Sequence, residues 1–168
     1  IVLANATIPI LGAVDTGVVG QMGLAVPIGA VGIGAIIISA IYWLFGFLRM
    51  GTTGLTAQAI GSNDHSETSA LLVRGIIIGL VAGLILILIQ IPLFSAALGI
   101  APASQEVEGL ANEYLKIRVF SAPAAIAIFG ITGWLIANER TRAVLVLMLL
   151  INSINIVLDF VFVLRLGW

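Results

Sequence analysis

Charge is what this sequence has least of. Only 9% of its 168 residues are Asp, Glu, Lys or Arg, where a soluble domain carries about 25% because its surface must face water. A free-standing soluble domain is therefore excluded. Cysteine is absent, which rules out a fold stapled by disulfides. Lys and Arg number 7 in all, too few to grip nucleic acid by neutralising phosphates, and the net charge of −1 points to no charged partner. The single histidine, His65, sits among Asp64, Ser66 and Glu67 in what reads as a solvated loop, and one histidine makes no metal site. With no Cys and no Ser/His/Asp set, no hydrolytic centre can be assembled. The chain reads as a non-enzyme with no resident cofactor.

What fills the space is apolar: 61% of residues are hydrophobic, which also excludes disorder. The fold class that remains is an all-α integral membrane protein, a polytopic helical bundle of about five spans at ~20 residues each. Five apolar segments can be drawn: Ile1 to about Gly20, Ile28 to Met50, Val73 to Leu98, Val119 to Ala137 and Ala143 to Leu166. The unbroken run from Ile76 to Ile89 has no period of two, so a porin-like strand pattern is excluded and helices are favoured. The chain opens on Ile1 without a basic leader and ends straight after an apolar run, so it reads as a piece of a longer protein with no cleaved targeting segment.

The connections, 21–27, 61–69, 99–104 and 138–142, are short, which makes successive spans antiparallel neighbours. Gly61-Ser62-Asn63-Asp64 reads as a helix stop followed by turn formers, and Ser104 as a cap with Gln105 and Glu106 in the first turn behind it. The helical pattern runs on from Ile28 to Ile60 and from Gln105 to Asn138. At 1.5 Å per residue each would be about 50 Å long against ~30 Å of hydrocarbon. Their polar stretches, Arg49 to Gln58 and Glu106 to Arg118, must therefore project from the bilayer or line an aqueous cavity. Arg140 and Arg142 place the 138–142 connection, and with it 61–69, on the cytoplasmic side by the positive-inside bias. Arg49 and Arg74 would snorkel to that interface or pair with acids there. Pro9, Pro92 and Pro123 each remove a helix hydrogen bond, and a kink is expected at each.

Small residues recur in every span, and Gly79-Leu80-Val81-Ala82-Gly83 presents a small-xxx-small face that reads as helix packing within the bundle rather than dimerisation. Gly29, Gly32 and Gly34 lack the spacing and the preceding strand of a dinucleotide fingerprint.

Two aspartates inside spans demand a reason, since a carboxylate there costs about 2.5–3.5 kcal/mol on insertion scales. Asp15 either faces protein and water or lies close enough to its helix end to reach the headgroups. Asp159 shares a helical face with Asn152 and Asn155, because offsets of three and seven residues fall within about 60° of one another. That stripe either ladders the bundle together by hydrogen bonds or faces a polar interior. Spans one and five run in the same direction. Asp15 lies nine residues before Leu24 and Asp159 nine before Trp168, so both sit about 13 Å inside the same side. If the two helices are neighbours, two carboxylates and an amide converge on a pocket that can take up a proton or a small cation.

Several strings now resemble one family. Asp15-Thr16-Gly17-Val18-Val19-Gly20, the stretch from Phe45-Gly46-Phe47-Leu48-Arg49-Met50-Gly51 to Gln58-Ala59-Ile60-Gly61, Tyr114-Leu115-Lys116-Ile117-Arg118 with Pro123, and Asn155-Ile156-Val157-Leu158-Asp159 are similar to the amino-terminal lobe of multidrug and toxic compound extrusion (MATE) transporters, in particular the bacterial branch named for DNA-damage-inducible protein F. The resemblance covers essentially the whole chain in order and spacing. It implies a fold of twelve helices in two pseudo-symmetric lobes, of which residues 1–168 are part of the first. Carried over residue by residue, it implies a proton- or cation-coupling site at Asp15, Asn155 and Asp159, where Na⁺ is possible, with Tyr114 close by and Asn152 also lining the cavity.

The function so implied is secondary antiport: protons or Na⁺ enter as amphipathic or cationic compounds leave, by alternating access, in a bacterial inner membrane. The partners implied are the lipid bilayer, an amphipathic small molecule and the carboxy-terminal lobe of the same chain. Two alternatives remain. A lipid-linked oligosaccharide flippase of related architecture would call for a more basic cavity, and a non-transporting membrane assembly module would need no carboxylate pair at matched depth.

Overall fold

The computed structural model describes residues 25–100 and 103–159. They form seven α-helices in chain order: α1 Ala25–Leu44, α2 Gly46–Gly61, α3 His65–Leu88, α4 Gln90–Ile100, α5 Gln105–Arg118, α6 Ala122–Ala137 and α7 Thr141–Asp159, with a 3-10 turn, Val119–Ser121, between α5 and α6. There is no strand among the described residues. The all-helical membrane architecture read from the sequence is the one observed. Three stretches are long and apolar enough to cross a membrane, Val26–Gly61, His65–Leu88 and Gln105–Ala137, and two shorter apolar helices, Gln90–Ile100 and Thr141–Ile154, accompany them. The first expected span, with Asp15 and Pro9, lies outside the described residues.

The boundaries follow local chemistry. The Asp64 side chain caps α3 by accepting from the Glu67 N–H at 2.8 Å, and Ser104 caps α5 through Val107. His65 is the exposed first residue of α3 rather than part of a loop, because the Asp64 cap starts the helix there. Arg74 pairs with Glu67 one turn beyond that cap. α2 and α6 end alike. Asn63 and Glu139 both take positive φ, 57° and 59°, and the N–H groups of Asp64 and Arg140 reach back to the carbonyls of Ala59 and Leu135. This is the Schellman arrangement that satisfies carbonyls a helix leaves over.

The third span, expected over Val73–Leu98 with a kink at Pro92, is broken outright into two helices. α3 stops at Leu88 and α4 restarts at Gln90, because Pro92 cannot donate to the Leu88 carbonyl. The Gln90 side chain instead donates to the Ile87 carbonyl at 2.8 Å, and Phe94 and Leu98 fold into the core.

Two packing patterns organise the bundle. α3 lies antiparallel on α6 with glycine at every fourth position. A Cβ on Gly75 would touch the Gly130 Cα at 3.4 Å, one on Gly79 would meet the Ala127 Cα at 2.5 Å, and one on Gly83 would strike the backbone of Pro123. At Gly79 and Gly83 only hydrogen fits, so the backbones approach closely. By contrast α1–α2 and α5–α6 run parallel. Gly29 faces Val107, Gly34 faces Tyr114, Tyr42 bonds Ser121, and Gly133 packs on Arg49 and Thr52, so partners stay about 80 residues apart along the whole length. The Thr53 hydroxyl shares its one proton between the Arg49 carbonyl at 2.8 Å in its own helix and the Gly133 carbonyl at 3.1 Å, and Trp134 Nε1 donates to the Thr68 carbonyl at 2.8 Å, tying α2 and α3 to the end of α6. The turns at 62–64 and 138–140 therefore sit at one end of the bundle, called here the turn end. A single apolar core runs from Ala30, Ile37 and Ile38 through Leu115 and Val119 to Ile126.

Candidate functional site

The expected site residues fall on three helices. Asn152, Asn155 and Asp159 lie on α7, whose helical backbone runs from Thr141 to Asp159 and so keeps the three on one face. Asn152 is half-buried. The side chains of Asn155 and Asp159, and the whole of Asp15, lie outside the described residues, so the expected convergence of Asp15 with Asp159 is not described. Tyr114 is half-buried on α5, where its ring lies against Gly34 of α1 in the place a Cβ there would occupy.

Depth can be assigned from the packing. Asp159 is eighteen residues past Thr141 along α7, and Val119 eighteen before Ala137, each about 27 Å of helix away from the turn end at 1.5 Å per residue. The antiparallel pairing of Gly79 with Ala127 and Gly83 with Pro123 extends past the Ile89 break, because Ser95 and Leu98 of α4 line a groove of about 420 Å³ with Glu108 and Asn112 of α5. Along this register Lys116 is level with Gln90 and Glu113 with Leu93, inside the apolar stretch of the third span. Both charges are exposed, on the side of α5 away from its buried Ala111 and Leu115. Charges at that depth must meet water. Of the two places open to the polar stretch Glu106–Arg118, this position favours an aqueous cavity. In the groove the Glu108 carboxylate accepts from the Ala103 N–H at 3.0 Å.

At the 3-10 turn lies a polar link that no motif announces. Tyr42 OH lies 3.1 Å from Ser121 Oγ, bridging α1 to the 3-10 turn. The signal that could have found it is Pro123, two residues past Ser121. Among the described residues no group of three or more His, Cys, Asp or Glu side chains is placed to hold a metal ion.

Residues 1–161 match the MatE family model, a span that takes in every site residue named above. The chain belongs to the MatE family. It is 40% identical to DNA damage-inducible protein F of Escherichia coli strain K12 over 94% of its own length and 34% of that protein's. It is 26% identical to the multidrug export protein MepA of Staphylococcus aureus, covering 86% of this chain and 30% of MepA. To the probable multidrug resistance protein NorM of Bacillus anthracis it is 26% identical, over 69% of this chain and 26% of NorM. The MatE chain thus spans about a third of the length of the curated relatives it matches. No solved structure gives a significant match.

Proposed function

We propose that the protein containing this chain is a membrane exporter of drugs or other toxic amphipathic compounds, not an enzyme, and that residues 1–168 are part of its first lobe. The observation that carries the reading is the family match across residues 1–161, supported by relatives whose names record multidrug export and resistance. Export is driven by entry of protons or Na⁺ across a bacterial inner membrane, with Asp15, Asn155 and Asp159 as the ion site and Tyr114 and Asn152 lining the cavity. The chemistry is electrostatic. A carboxylate facing a poorly hydrated pocket is costly while charged and cheap once protonated or ion-paired, so loading changes the free energy of the conformations that open to either side. A difference of a few kcal/mol is enough to switch which side is open. The polar faces of α5 and α7 supply the water path such a site needs.

The test is efflux of a fluorescent lipophilic cation from vesicles holding the full-length protein, under an imposed proton or Na⁺ gradient. One of the two gradients should drive efflux, and Asp15→Asn should abolish it while leaving membrane insertion intact, because an amide keeps its hydrogen bonds but cannot change charge. Wild-type efflux from Asp15→Asn would remove the coupling role and leave Asp15 as an interfacial anchor.

A further inference from the structure

Both long helices are broken at one level, and the two breaks are bonded to each other. In the second, Pro123 has no N–H to give the Val119 carbonyl. The Ala122 N–H turns to that carbonyl instead, closing the 3-10 turn. This deprives the Arg118 carbonyl of its helical donor, and the Ser121 hydroxyl replaces it at 2.7 Å. Ser121 has one proton and has used it, so at the 3.1 Å contact Tyr42 OH donates and Ser121 Oγ accepts. Tyr42 itself begins the first break. Its carbonyl takes the Phe45 N–H at 3.0 Å, and the Phe45 carbonyl takes the Leu48 N–H at 3.0 Å, three-residue closures in place of helical ones. One chain of hydrogen bonds therefore runs from the α1–α2 break to the α5–α6 break.

The helices on either side are held differently. Towards the turn end, α2, α3 and α6 are locked by backbone contact at Gly79 and Gly133, where no side chain can intervene, and by the tight approach of Gly130 to the Gly75 backbone. Beyond the breaks, α1 and α5 hold each other through Tyr114 on Gly34 and Val107 on Gly29. We propose that the two breaks are a single coupled hinge latched by Tyr42 and Ser121, about which α1 and α5 swing as a pair against the rigid α2–α3–α6 unit.

Spin-label distances in the full-length protein test this. Gly32 on α1, where a new side chain meets open space, and Glu106 on α5 report the two swinging tips, each paired with a label at exposed Val73 on α3. Pro123→Ala restores the missing N–H and should straighten the second helix. A tilt of about 20° moves a tip roughly 20 Å from the bend by roughly 7 Å. Both distances should shift together in Pro123→Ala, and both distributions should broaden in Tyr42→Phe, which keeps the ring and removes the donor. A shift of the Glu106 distance alone would show independent bends, and no shift of either would show that Pro123 does not set the break. Unchanged widths in Tyr42→Phe would remove the latch. Any of these overturns the proposal. The readout involves no transport, so its failure leaves the exporter reading standing, and loss of efflux leaves the hinge standing.

Discussion

Left-handed backbone at two residues of the turn end is carried by side chains unequally suited to it. Asn63 at φ 57° is of a residue type that visits the left-handed region routinely, whereas Glu139 at φ 59° sets a long side chain where Cβ crowds the following carbonyl. Glu139→Gly should therefore raise stability by about 1 kcal/mol, and Asn63→Gly by less. Reversible unfolding in mixed micelles measures both, and a Glu139→Gly protein less stable than the parent would show that the carboxylate makes a contact worth more than the strain. The Asn63 stop was legible, since Gly61-Ser62-Asn63-Asp64 is made of helix breakers and turn formers. The stop after Ala137 was legible too, from the polar connection 138–142 between two apolar runs, but that Glu139 would carry the positive φ was not.

Helix–helix contact is where a single methylene decides. Gly79 lies so near α6 that an added Cβ would sit 2.5 Å from the Ala127 Cα and 2.6 Å from its N, and backbone cannot yield as a flexible side chain can. Gly79→Val should force α3 and α6 apart and cost at least the 1–3 kcal/mol typical of overpacking. Gly51→Ala, also inside a helix but with nothing within 4 Å of its Cβ, should cost nothing. Equal losses at the two sites, read as melting temperature in the same detergent, would mean that close approach is not what holds these helices. Periodicity made the Gly79–Gly83 face and its packing role readable. It could not say that α6 is the partner, because a stripe of small residues fits any helix that brings one of its own. The break at Ile89 was half legible: Pro92 announced a kink, but that α4 would turn its Phe94 into the core depended on a neighbour the sequence does not point to.

At the scale of the whole bundle, the proposed coupling site combines what the fold holds together with what sequence alone places. α7 keeps Asn152, Asn155 and Asp159 on one face and carries Asp159 about 27 Å of helix beyond its start at Thr141. Asp15 was assigned to the same depth only by counting residues along a parallel span. Depth follows from the 1.5 Å rise, so it can be read without a structure, but whether two parallel spans are neighbours cannot. If Asp15 and Asp159 share one poorly hydrated pocket, their charges interact strongly and they bind protons as one unit. Groups acting as a unit are non-additive. The Asp15→Asn and Asp159→Asn proteins should each lose coupled efflux, and the double mutant should lose little more than the worse single one. The same logic holds for an infrared carboxyl signal followed against pH: each single mutant should lose the coupled titration entirely rather than keep half its amplitude. Independent titrations in the single mutants, with losses that multiply in the double, would place the two aspartates in separate sites. Span one would then carry Asp15 for some task other than the one proposed for the α7 face.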